Sequence, residues 1–154
     1  MDGQQHPADQ TGFVGSYLLY LLAAVSERAS AEFHAHARKA GLRVPEWRVL
    51  ACLCDSDGAM ITHLAQLSLM EQSRLTRIVD QMAARGLLTR RADPRDGRRV
   101  LVYLSQEGRA LAARLTRDAR DHEAQILARL TPEDAARIKP ILQGLLAGLE
   151  EATP

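Results

Sequence analysis

Residues 72–105 read QSRLTRIVDQMAARGLLTRRADPRDGRRVLVYLS, and two patterns in this stretch decide the fold. In its first half Leu75, Ile78, Val79 and Met82 fall on one narrow arc at helical spacing, so Ser73, Thr76, Arg77, Asp80 and Ala84 face the other way. This helix is expected from Gln72 to about Arg85, with Gly86 as its stop. The second half changes period. Val100, Val102 and Leu104 alternate with Arg99, Leu101 and Tyr103, and Asp93-Pro94-Arg95-Asp96-Gly97 supplies the turn that joins this strand to residues 88–92. A helix whose outer side offers Gln, Ser, Thr and Arg, followed by an arginine-tipped hairpin, suits duplex DNA, because those side chains hydrogen-bond base edges and phosphates.

Charge is concentrated in the same place. The whole chain balances 20 Lys and Arg against 19 Asp and Glu, so bulk electrostatics alone suggest no polyanionic partner. Residues 72–109, however, hold nine Arg (74, 77, 85, 90, 91, 95, 98, 99, 109) against Asp80, Asp93, Asp96 and Glu107, a net of +5, while residues 1–71 sum to −3 and residues 110–154 to −1. Every base in the central segment is Arg, which forks onto phosphates and base edges where Lys offers a point charge. Arg95, Arg98 and Arg99 sit at or beside the hairpin tip, where an arginine can enter a narrow minor groove. Asp96 is placed to pair with Arg98 and restrict its orientations. A solvated basic surface is the plain alternative.

Helices surround this segment. Leu18, Leu22, Val25, Ala29 and Phe33 recur at three- to four-residue spacing between about Gly12 and Ala40, giving one long first helix that Gly41 stops. Pro45 opens a second, with Trp47, Leu50, Leu53 and Cys54 as its inner stripe until Asp57-Gly58. A short third helix is expected from Thr62, as N-cap, to about Leu67. A fifth runs from about Gln106 to Leu130. Thr131-Pro132-Glu133-Asp134 then restarts a sixth, with Thr131 as N-cap. There Ile138, Ile141, Leu142, Leu145, Leu146 and Leu149 share a broad apolar face, and Pro140 is expected to bend the helix near its beginning. So apolar a terminal helix, with the long first helix, reads as a dimerisation surface.

The pattern predicts a mainly α fold with a small β-hairpin wing: a winged helix-turn-helix core flanked by N- and C-terminal dimerisation helices. At 154 residues the chain is one domain by size, with residues 12–44 and 106–152 as dimerisation helices, 45–105 as the DNA-binding part and 1–11 as a flexible N-terminus. No signal peptide or membrane span is visible, since the richest apolar stretch, Tyr17 to Val25, is too short to cross a bilayer. Cys52 and Cys54 stand two apart on a helix, point in different directions and are expected to be packed. A reducing, cytoplasmic setting and no membrane partner follow. There is no glycine-rich phosphate loop, nucleophile elbow, HExxH or convincing carboxylate pair, so no enzyme, cofactor or catalytic residue is expected.

The order of elements resembles the MarR family, the multiple-antibiotic-resistance-regulator type of winged helix-turn-helix protein, over essentially all of residues 12–150. The sharpest motifs are Leu75-Thr76-Arg77-Ile78-Val79-Asp80-Gln81-Met82 followed by Arg85-Gly86-Leu87, and a wing signature at Asp96, Arg98, Leu104 and Ser105 followed by Glu107-Gly108-Arg109. The resemblance implies a homodimer on a pseudo-palindromic operator in double-stranded DNA, usually repressing a neighbouring gene and releasing DNA when a small effector binds. On this reading Ser73, Thr76 and Arg77 read base edges, Gln72 and Arg74 contact bases or phosphates at the groove rim, and Arg98 enters the minor groove supported by Asp96. Two departures stand out. Many relatives carry Ser or Thr at the recognition-helix N-cap, where this chain has Met70-Glu71, and the reactive cysteine of the peroxide-sensing branch is replaced by Leu19.

Family pockets lie between the first, second and fifth helices. Tyr17, Tyr20, His34, His36, Trp47, Arg48 and His122 are the polar or aromatic residues there that could line one, a mixture that suits an aromatic carboxylate, a phenol or an acyl thioester. Two alternatives remain open. Asp118 and His122, at i and i+4, with His34 and His36 suggest a zinc-responsive regulator, although the His-x-His pair splits across helix faces. A helical protein-interaction module explains the apolar terminal helices and leaves the arginine wing without a purpose.

Overall fold

The structure, a computed structural model, describes residues 12–152, so the expected flexible start at residues 1–11 lies outside the described residues. The chain divides into two compact units at Val44/Pro45.

The first unit holds α1 (Phe13–Ser16) and α2 (Leu18–Lys39) in place of the single long helix expected. Tyr17 is extended between them, with its ring stacked on Phe13 at a centroid distance of 4.9 Å. The break follows local chemistry: Gly15 costs helix entropy, and the Ser16 hydroxyl donates to the Phe13 carbonyl at 3.2 Å, which closes the first turn on itself. The other end stops as expected. Gly41 takes a left-handed φ of +81°, letting Leu42 N–H reach back to the Ala37 carbonyl at 3.1 Å. Phe33, Ala37 and Leu42 are buried, whereas Leu18, Leu19, Leu21 and Val25 are exposed.

The second unit, from Pro45, takes in all but the first residue of α3 (Val44–Asp55), whose buried residues are Glu46, Val49, Leu50 and Leu53. The inner stripe is therefore turned from the one expected: Trp47 is half-buried and Cys54 exposed. The packed-thiol expectation fails for Cys54 and holds partly for Cys52, whose thiol is pushed up by burial and then by the neighbouring Asp55 carboxylate. Next comes a short strand, β1 (Ala59–Met60), that sequence spacing does not suggest, since two residues cannot display an alternation. Gly58, at φ +82°, donates its N–H to the Val102 carbonyl at 2.9 Å and so swings the chain onto the sheet. Because pairing holds Met60 extended, the N-cap of the following helix α4 (Ile61–Leu67) is Met60, two residues before the expected Thr62, which lies inside the helix instead of capping it.

α5 (Gln72–Ala84) buries Leu75, Ile78, Val79 and Met82, the arc read from the sequence. Gly86, at φ +76°, ends it. β2 (Leu88–Asp93) and β3 (Asp96–Leu104) form the hairpin, joined through Pro94-Arg95, and the antiparallel sheet has the order β1-β3-β2. Its register pairs Leu88 with Leu104 and Arg90 with Val102. Leu50, Leu53, Leu64, Leu75, Val79, Met82, Val102 and Leu115 are fully buried. Each such side chain contributes roughly 1.5–3 kcal/mol, so the helix pair and the base of the wing share one core.

α6 (Gln106–Leu127) stops short of the expected Leu130, and α7 (Pro132–Glu151) runs unbroken through Pro140. Thr131 caps α7 as expected, accepting from Asp134 N–H at 3.2 Å. α7 buries none of its residues, and Ile141, Leu142, Leu145, Leu146 and Leu149 lie exposed along it. Among the described residues no helix is long and apolar enough to cross a membrane.

Candidate nucleic-acid interface

The apolar arc of α5 fixes which side of the helix faces outward. Gln72, Ser73, Arg74 and Arg77 are exposed and Thr76 is half-buried. Two of these side chains are engaged locally. Ser73 Oγ donates to Glu71 Oε1 at 2.9 Å, and Thr76 Oγ1 donates to the Gln72 carbonyl at 2.9 Å. Glu71 is the N-cap residue, but its side chain accepts no backbone N–H. The guanidinium groups of Arg74, Arg77 and Arg95 form no ion pair with the described residues.

One carboxylate of the wing holds two of its arginines. Asp96 Oδ1 accepts from the backbone N–H of Arg98 at 3.1 Å and from its Nε at 3.3 Å, while Oδ2 forms an ion pair with Arg99, 3.5 Å from its Nε. Arg98 remains 93% exposed, so the pair orients the guanidinium without shielding it. Arg95 sits at the tip, its N–H closing on Asp93 Oδ1 at 2.9 Å.

Helix and wing then meet. A cleft of about 310 Å³ is lined by Gln72 and Thr76 of α5, by Thr62 of α4 and by Arg90, Arg98, Arg99 and Val100 of the wing. Ser73, Arg74, Arg77 and Arg95 do not line it. Neither Arg90 nor Thr62, read from the sequence only as a helix cap, was expected at this interface. Strand parity carried the signal for Arg90: it shares a sheet face with Leu88 and with its cross-strand partner Val102, but on the edge strand β2, where it pairs with Asp80 of α5.

Two further ion pairs brace this apparatus. Glu46, 2% exposed on α3, accepts from Arg85 Nη1 at 3.1 Å at the C-cap of α5. Asp57 accepts from Leu104 N–H at 2.8 Å and from Arg109 Nη2 at 2.5 Å, so the turn before β1 anchors the end of β3 to the start of α6. Ser105 caps α6, accepting from Gly108 N–H at 2.9 Å while its own hydroxyl donates to the Gly86 carbonyl at 2.6 Å. The C-terminal end of the wing's long strand is thus clamped twice, through Asp57 and through Ser105.

The sequence pattern of the MarR family matches residues 42–100. An HTH-type transcriptional repressor of Mycobacterium tuberculosis is 31% identical over 129 residues, covering 84% of this chain and 91% of the relative. The chain belongs to the MarR family. The crystal structure of a MarR family transcriptional regulator from Silicibacter pomeroyi shares 63% of its residues, covers 90% of this chain and 99% of its own, and superposes with a TM-score of 0.82. A mutant MarR of E. coli complexed with operator DNA, 21% identical, shares the fold over 84% of this chain and 93% of its own, with a TM-score of 0.74. Members of the MarR family are DNA-binding transcriptional regulators of the repressor type and not enzymes, and this chain is one of them.

The expected effector residues are divided by the fold. Tyr17 and Tyr20 are exposed, His34 is half-buried and His36 exposed, all in the first unit. Trp47, Arg48 and His122 belong to the second. Within that unit Trp47 borders a cleft of about 250 Å³ with Ala51, Cys54 and Asp55 of α3 and with Thr116, Ala119, Arg120 and Glu123 of α6; Arg48 and His122 do not line it. Sequence reasoning missed Arg120. Among the described residues no three His, Cys, Asp or Glu side chains come together to hold a metal ion, so the zinc reading gains no support.

Proposed function

We propose that the protein is a homodimeric repressor that grips a pseudo-palindromic operator with α5 in the major groove and the wing in the adjoining minor groove, and that a small effector releases it. The observation that carries this reading is the shared cleft: reading-face residues of α5 and the wing arginines border one cationic groove. Ser73, Thr76 and Arg77 contact base edges and Gln72 and Arg74 the groove rim. Arg98, held by Asp96, enters the minor groove, with Arg95 and Arg99 beside it on phosphates. The exposed apolar face of α7 supports the dimer, and a two-fold dimer places its recognition helices on half-sites one helical turn apart.

For the effector, the Trp47 cleft offers an aromatic wall and one guanidinium, Arg120, while Glu123 is already engaged by Lys139 at 2.7 Å. Its volume lies below the common range for drug-sized ligands, which favours a single-ring aromatic carboxylate or phenol over an acyl thioester. The test is binding of the purified protein to duplex from upstream of its own gene at about 150 mM salt, where exposed charges are well screened, with excess unrelated duplex present. Saturable retention, released by an aromatic acid, supports the reading; complete loss to the competitor contradicts it.

A further inference from the structure

We propose that the first turn of α5 selects a cytosine through three side chains that offer it hydrogen-bond acceptors, Glu71, Ser73 and Thr76; this rests on the DNA-binding reading above. A hydroxyl has one proton to give. Both protons here are spent inside the protein, that of Ser73 on the Glu71 carboxylate and that of Thr76 on the Gln72 carbonyl, each at 2.9 Å. What these two oxygens turn outward is therefore lone pairs. Glu71 adds a carboxylate, which accepts and does not donate. It stands exposed at the N-cap and is not consumed in capping the backbone.

Base edges in the major groove differ in what they offer such a surface. Guanine presents the N7 and O6 acceptors and thymine the O4 acceptor, both of which meet acceptors unfavourably. Adenine presents the N6 amino group beside the N7 acceptor, so a carboxylate approaching one faces the other. Cytosine presents its N4 amino donor alone, and a carboxylate is the side chain suited to it. Donors for the remaining positions come from Arg77, Arg74 and Gln72, which divides the recognition helix into an accepting tip and a donating flank. The Glu71 charge also repels backbone phosphates, so it weakens binding to every sequence while favouring one, a repulsive element that raises specificity.

The test is selection of binding sites from a randomised duplex library by the full chain and by its Glu71→Ala and Glu71→Gln variants. Glu71 is exposed and Gln matches its shape, so these changes leave the fold intact. Expected is a cytosine at one position of each wild-type half-site. In Glu71→Ala its preference over guanine falls by roughly tenfold, the other positions stay unchanged, and unrelated duplex is bound more tightly. Glu71→Gln, which adds an amide donor, also loses the cytosine. Superimposable profiles for wild type and Glu71→Ala, or a wild-type site without that cytosine, overturn the assignment and leave the regulator standing. A library from which the wild type enriches nothing overturns both.

Discussion

Arg98 is the side chain on which the proposed minor-groove contact depends. It is held at two points by Asp96 yet 93% exposed, an arrangement that spends orientation in advance and keeps the charge for a partner. Arg98→Ala is expected to weaken operator binding and to lower the salt slope by about one if the contact is a phosphate, with the dimer unchanged; fluorescence anisotropy across a salt series measures both. The Glu46–Arg85 pair behaves asymmetrically. Arg85→Met withdraws a cation from a carboxylate that stays buried and should cost about 1–3 kcal/mol in urea unfolding. Glu46→Gln should cost less, because Arg85, 44% exposed, hydrates where it stands. Residue identity made the Arg98–Asp96 pairing legible from sequence, since the two lie within one turn. Glu46–Arg85 was not legible: its partners are 39 positions apart, and burial of a carboxylate runs against its residue type.

Among the elements, α5 and the hairpin were readable because each displays several periods of its pattern. β1 was not, because a two-residue strand exists through pairing with β3 alone. The division of α1 from α2 and the early start of α4 likewise turn on single hydrogen bonds and on tertiary placement, which periodicity does not carry. The junction of β3 and α6 shows how tightly the elements are joined. A Cβ on Gly108 would stand 1.9 Å from the Leu87 carbonyl oxygen, a backbone atom that cannot swing aside. Gly108→Ala is therefore expected to destabilise the protein by about 3 kcal/mol or more, read as a lowered urea midpoint. Ser105→Ala, which removes the α6 cap, should cost about 1 kcal/mol.

At the scale of the molecule, the class of fold and the central cationic segment follow from periodicity and charge distribution, while the shared cleft, with Arg90 and Thr62 in its wall, depends on where the hairpin lands against α5. The proposed dimer carries a second prediction at this scale. The exposed Leu142 and Leu145 on α7 predict that the double substitution Leu142→Asp and Leu145→Asp yields a monomer by sedimentation. With it goes the affinity that comes from engaging two half-sites at once. The central claim, that α5 and the wing hold DNA together, is tested most directly by hydroxyl-radical footprinting of wild type and Arg98→Ala on the same upstream duplex. The account predicts two protected half-sites one helical turn apart, each flanked by a protected minor-groove segment that disappears in Arg98→Ala while the half-sites remain. Identical footprints for the two proteins would contradict it.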